Sequence, residues 1–253
     1  EKTSNGTGKL MKKYPSEQSF YVFLSFAAVG GFLEAYTYLL HGGVFCNAQT
    51  GNLVLLAIHL FGGRFSEATH YLCSILAYLA GIFVSIVLSR LLKASTARIA
   101  VTAAELCALA ALAFIPESAS NWYTYVSVAF LCALQYNIFT ECRGAALSTT
   151  FCTNNLRQAA TNLYKGAAEK DGEKLKKSGV YALVILFFAL GAVLGAFTAD
   201  KLGNYCILFC SAILLPVCAL LIAFRCRRQP PDGPREEQNE RRTDEREQSL
   251  PRI

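Results

Sequence analysis

The chain has 253 residues, 53% of them hydrophobic and 17% charged, with a formal net charge of +6; its mean hydropathy is +0.34. Apolar residues gathered into such long runs exclude a water-soluble domain of useful size and place the protein in a membrane. The positive charge is no nucleic-acid signature, because the basic residues sit at the ends of the apolar runs, where they orient membrane helices.

Lys9, Lys12 and Lys13 precede the first run, Phe20 to Leu40. That run has the length of a spanning helix rather than of a signal peptide's short apolar core, so it is expected to stay in the membrane. Met11 is the only methionine, and residues before it carry no weight in this reading. Asn5-Gly6-Thr7 matches a glycosylation acceptor, but on a cytoplasmic segment of residues 1–17 the match reads as chance. The next stretch, Gly42 to Gly63, opens with a polar knot (Asn47, Gln49, Thr50, Gly51, Asn52) and runs apolar from Leu53 to Phe61. This is too short to cross a bilayer, which needs about 20 helical residues. A polar turn feeding a half-length apolar helix predicts a re-entrant segment over residues 44–62.

Further apolar runs follow at Ala68 to Leu92, Ile99 to Ile115, Trp122 to Thr140, Ser178 to Ala199 and Tyr205 to Phe224. Between Thr140 and Ser178 lies the more polar segment 148–168, with Arg157, Gln158, Asn162 and Lys165 set among Leu156, Ala159, Ala160 and Leu163; it predicts a second short helix, re-entrant or lying at the inner surface. From Gln229 onward the tail is rich in Pro, Arg and Glu and is expected to be disordered. The fold class predicted is an all-α membrane protein with six transmembrane helices and two shorter re-entrant or interfacial helices.

Orientation follows from the basic clusters. Those before Phe20, at Arg90, Lys93 and Arg98, between Lys165 and Lys177, and at Arg225, Arg227 and Arg228 all fall on one side only if the first short segment returns to the face it entered. Both termini are then cytoplasmic. The second half also echoes the first. Glu34 and Asn137 are 103 positions apart, as are Thr50 and Thr153, while Gly81 and Gly191 close two further similar runs at a spacing of 110. Three crossings per half make the halves, residues 18–117 and 118–226, an inverted repeat with a cytoplasmic tail over 227–253.

Several residues are placed for chemistry. Glu34 is a carboxylate inside a spanning helix, a costly position that marks a proton or cation site or a group bonded to a neighbouring segment. Asn47, Gln49, Thr50 and Asn52 offer amides and hydroxyls suited to replacing an ion's hydration or holding a small polar solute, and Gly51 would permit a sharp turn or a close approach; the structural alternative is that they cap the helix starting at Leu53. Gln135, Asn137, Thr153, Asn154 and Asn155 are their counterparts in the second half. Glu105 is expected to pair with Arg98 or Lys93, and Glu141 with Arg143. Cysteines in apolar runs act as small apolar residues, and Cys206 with Cys210 lacks the partners of a metal site. No cofactor or metal is expected. Serine elbow, HExxH and P-loop signatures are absent, so an enzyme is not expected.

The run GGFLEAYTYLLHGGVFCNAQTGNLVLL closely resembles the opening pattern of the YoaK-like family of bacterial integral membrane proteins, whose domain (domain of unknown function 1275) has no assigned activity. The resemblance extends from about Ser19 to about Phe224. Members typically carry aspartate where this chain has Glu34; Gln135, Asn137, Thr149 and Thr153 match elements of the family's second half, with Asn154 in place of a glycine. The resemblance implies the bacterial cytoplasmic (inner) membrane and no substrate. Topology and residues together predict a transporter or channel-like protein for a small solute or ion, with the lipid bilayer as partner, no nucleic acid, and self-association left open. The rival expectation is a non-transporting membrane scaffold or sensor whose tail recruits a cytoplasmic partner. On the sequence alone, Glu34→Gln is expected to abolish proton-linked flux and leave folding intact.

Overall fold

The computed structural model describes residues 20–116, 119–142, 145–146 and 152–228. In chain order these form helices α1 (Phe20–Leu40), α2 (Gln49–Phe61), α3 (Phe65–Leu91), α4 (Ala94–Leu112) and α5 (Trp122–Ile138). A two-residue antiparallel ladder follows, β1 (Glu141–Cys142) with β2 (Ala145–Ala146), pairing Glu141 with Ala146. Then come α6 (Cys152–Ala168), α7 (Gly172–Leu202), a 3-10 turn (Gly203–Ile207) and α8 (Leu208–Arg228). The Asn5-Gly6-Thr7 match, the N-terminal lysines, Arg143, Thr149 and the tail beyond Arg228 lie outside the described residues.

Among the described residues four stretches are long and apolar enough to cross a membrane: Phe20–Leu40, Phe65–Leu91, Ala94–Leu112 and Gly172–Cys226, the last holding both α7 and α8. Helix α5 has 17 residues and α2 only 13. The protein is therefore a multi-helix membrane protein with at least one helix too short to span. Two of its helices begin well before the apolar stretches that announced them. Helix α4 starts at Ala94 rather than Ile99, and α7 at Gly172 rather than Ser178. An apolar run marks what sits in hydrocarbon, whereas hydrogen bonding decides where a helix begins: Asp171 accepts from the N–H groups of Glu173 and Lys174 and caps α7 well before its apolar part.

Lipid supplies no hydrophobic drive between helices, so close backbone approach at small residues has to hold the bundle. Helix α1 meets α7 in this way. A Cβ at Gly31 would lie 1.9 Å from the Phe188 carbonyl oxygen, and one at Gly191 would lie 1.9 Å from that of Ala28. Helices α3 and α5 repeat the arrangement, with the Cβ site of Gly81 2.4 Å from the Phe130 oxygen. Both pairs run parallel. Gly191 faces Ala28 and Gly195 faces Phe32, while along α3 His70, Gly81 and Ser85 meet Tyr125, Phe130 and Asn137 in turn. Leu72, Leu76, Leu79, Phe83 and Val87 make the outward face of α3 apolar at helical spacing, as lipid contact requires.

The packed pairs have a further property. Helix α1 packs on α7 and α5 on α3; α2 on α3 and α6 on α7; α4 on α5 and α8 on α1; and α4 packs on α8. Exchanging α1 to α4 with α5 to α8, in order, leaves this set unchanged, while the smaller contact of α3 with α4 has no counterpart of like extent between α7 and α8.

Helix α2 returns to the end of the bundle from which the chain entered. After α1, Gly42 and Gly43 adopt φ of 81° and 68°, a left-handed turn that glycine makes without strain. The chain then runs back beside α1 until the backbone N–H groups of Asn47 and Ala48 reach Glu34. From there α2 climbs antiparallel to α3: Asn52 bonds Ser74, and His59 packs on Tyr71 with ring centroids 5.2 Å apart. Gly63, at φ 70°, closes the turn into α3. Of the two roles expected of the glycine of the knot, a sharp turn or a close approach, the second is the one it takes. Gly51 is inside α2, where its missing side chain leaves room for the Phe45 ring 3.0 Å from its Cβ site.

Candidate functional site

Helix α2 starts without a side chain of its own to cap it, since its N-cap residue is Ala48. Glu34 fills the deficit from the middle of α1. Its Oε2 accepts from the Asn47 N–H at 2.8 Å and the Cys46 thiol at 3.1 Å, and its Oε1 accepts from the Ala48 N–H at 3.0 Å. A carboxylate beside the positive end of a helix is favoured by the helix dipole as well as by these bonds. Glu34 thus pins the returning turn.

Asn52 locks the same turn from the other side. Buried completely, it accepts from the Phe45 N–H at 3.0 Å and donates to the Phe45 carbonyl at 2.7 Å, much as a neighbouring strand would, and also reaches Gln49 Oε1 and Ser74. Gln49 donates to the Cys46 carbonyl at 2.9 Å. Asn47 donates to the Gly30 carbonyl of α1, while its buried Oδ1 has no hydrogen-bond partner. Cys132 of α5 is fully buried in the same core cluster as Cys46. The turn therefore stands where α1, α2, α3 and α5 meet.

Of the residues singled out in the sequence, Glu34, Asn47, Gln49 and Asn52 come together around this turn. Thr50 is exposed on the first turn of α2, and Gly51 packs against Phe45. From the second half, Asn137 donates to Ser85 of α3 at 2.6 Å, so its amide is engaged by that helix rather than by the knot. Gln135 is fully buried on α5, and neither atom of its amide makes a hydrogen bond. At the start of α6, Thr153 is exposed, Asn154 accepts from Arg157 at 3.3 Å and Asn155 is buried. Among the described residues no three His, Cys, Asp or Glu side chains are placed to hold a metal ion.

Glu105 departs from expectation. It does not pair with Arg98 or Lys93: it is fully buried on α4 and neither carboxyl oxygen has a hydrogen-bond partner, while Arg98, two turns earlier, lies over the Phe139 ring at 5.9 Å. Seven residues of helix put about 10 Å between the two positions, so proximity in the sequence misled. A buried polar group without a partner costs free energy. Glu105→Met, which keeps the volume and removes the polar group, is expected to stabilise the protein by roughly 1–3 kcal/mol; a lower thermal midpoint in detergent would mean that Glu105 has a partner that holds the fold.

Sequence reasoning also passed over a second polar cluster, at the end of the bundle where α1, α4 and α7 finish. Tyr36 donates to Asn204 Oδ1 at 2.9 Å, Asn204 donates to the Ile115 carbonyl at 3.0 Å, and His41 Nδ1 lies 3.3 Å from Asn121 Oδ1. Burial holds the His41 imidazole below its ordinary pKa, against the opposing effect of its bond to Asn121.

The helices and this buried returning turn define a class: an integral membrane protein whose interior polar groups serve a broken helix. A family model described as "Protein of unknown function (DUF1275)" matches residues 22–221, and the chain belongs to that family. No curated protein and no solved structure matches the chain.

Proposed function

We propose that the protein is a six-span transporter or channel-like protein of the bacterial inner membrane, built from two inverted halves and moving a small solute or ion past the turn at Glu34. The observation that carries this is the turn itself. A helix that enters, stops at the level of a half-buried carboxylate and returns to the same end serves no purpose in a bundle that only needs to be anchored, and such discontinuous helices mark substrate and ion sites in transporters. Support for two inverted halves comes from the packed pairs, which survive exchange of the halves, and from the parallel course of α1 with α7 and of α3 with α5. In this reading Glu34 and Gln49 shape the site, and the unpartnered amide oxygen of Asn47 and the amide of Gln135 are the groups left to meet a solute. The basic clusters set both termini in the cytoplasm.

Single cysteines in a cysteine-depleted background test it. Arg64→Cys is expected to react with an impermeant reagent added outside, and Thr50→Cys with a small water-soluble reagent, because transport needs a hydrated way to the turn. Labelling of Arg64→Cys only from inside would overturn the returning helix and the inverted halves together. Labelling from outside with a silent Thr50→Cys would keep the topology and leave the scaffold as the function.

A further inference from the structure

The polar cluster at the end of the bundle encloses a cavity of about 370 Å³, near the lower end of the roughly 300–1,000 Å³ usual for small-molecule sites. Leu40, His41, Ile115, Ser120, Asn121 and Asn204 are among the residues around it. They come from three separate connections: the one leaving α1, the one between the halves and the one joining α7 to α8. The cavity is distinct from the turn at Glu34, which none of its lining residues forms.

We propose that this cavity binds a small uncharged solute that carries both hydrogen-bond donors and acceptors, of the size of a monosaccharide or an aromatic carboxamide. Its walls are fixed. Asn204 uses both ends of its amide on Tyr36 and Ile115, and the His41 ring packs on Tyr36 with centroids 4.7 Å apart. Its polar groups are not exhausted. His41 is only 4% exposed, yet its Nε2 makes no hydrogen bond, and Asn121 stands at the N-cap of α5 without spending its side chain on the cap. A ring nitrogen buried and unpaired at the edge of a cavity is satisfied when a ligand supplies the missing donor or acceptor.

The lining also selects by charge. None of its described residues is a Lys, Arg, Asp or Glu, so these walls give an ionised solute no counter-charge in place of its water. A purely apolar solute would leave His41, Ser120 and Asn121 unpaired. Leu40, Ile115, Pro116 and Ala119 meanwhile offer apolar surface to the carbon frame. The site concerns binding at the rim, and it stands whether or not the solute then passes the buried turn.

The chain carries one tryptophan, Trp122, which follows the lining residue Asn121, and its fluorescence is the readout. The full chain in nanodiscs is titrated with two matched pairs of probes, nicotinamide against nicotinate and glucose against gluconate. A saturable change is expected with at least one neutral member, its charged counterpart binding at least tenfold more weakly. His41→Gln, which keeps a polar group of similar reach, and Asn121→Ala are each expected to weaken that binding about tenfold while the protein stays monodisperse with an unchanged near-ultraviolet spectrum. No saturable response to either neutral probe overturns the proposal, and so does a charged member that binds as well as its neutral partner or a response that both variants leave untouched.

Discussion

Alanine at Gly191 is expected to break the packing of α1 on α7, whereas alanine at Gly179 of the same helix is expected to stabilise the protein. The new Cβ at 191 would sit 1.9 Å from the carbonyl oxygen and 2.7 Å from the carbonyl carbon of Ala28, atoms of the α1 backbone that cannot swing aside as a side chain would. The helices have to move apart by more than an ångström along a contact that dispersion alone holds. A cost of about 3 kcal/mol or more follows. At Gly179 a Cβ meets nothing within 4 Å, so alanine only removes glycine's helix penalty and stabilises by roughly 0.5–1 kcal/mol. Gly81→Ala gives the matching experiment in the other half, where the obstacle is the Phe130 carbonyl oxygen at 2.4 Å. If α1 with α7 and α3 with α5 are equivalent contacts, the thermal midpoints of the Gly81 and Gly191 variants fall together. A Gly191 variant as stable as the parent would show that these helices do not touch.

Those glycines were partly legible. The sequence marked Gly81 and Gly191 by their place in paired apolar runs, and the run boundaries located every long helix to within about six residues. Conformation was not legible. Gly42, Gly43 and Gly51 look alike in a polar stretch, yet only the first two take positive φ, and the third is a helical residue under an aromatic ring. Partners far apart in the chain were equally hidden. Tyr36 meets Asn204 across 168 positions and His41 meets Asn121 across 80, and no local pattern could announce a cavity built from three connections. Glu105 shows the opposite error, a nearby basic residue taken for a partner when helix geometry holds the two apart.

Removing the Glu34 carboxylate is expected to cost the returning turn its anchor before it costs any proton its carrier. The sequence alone suggested that Glu34→Gln would leave folding intact, but the structure aims three donors at the carboxylate: the Asn47 and Ala48 N–H groups and the Cys46 thiol. Glutamine can offer its oxygen to Asn47 and Cys46, and its NH2 then faces the Ala48 N–H, donor against donor. A loss of roughly 1–3 kcal/mol follows, and Glu34→Ala, which leaves all three donors without a partner, should lose more, about 2–4 kcal/mol. Glu34→Asp keeps both acceptors at a shorter reach and is expected to be the mildest of the three. Hydrogen exchange at the amides of residues 47 and 48 reads the anchor directly, and flux in proteoliposomes reads the chemistry. Fast exchange in the alanine variant, restored by aspartate, is the expected pattern; unchanged protection in the alanine variant would sink the anchoring role. If flux vanishes in the glutamine variant while residues 47 and 48 stay protected, the carboxylate acts on the transported species. If flux and protection fall together and aspartate rescues both, Glu34 works by holding the end of α2 in place.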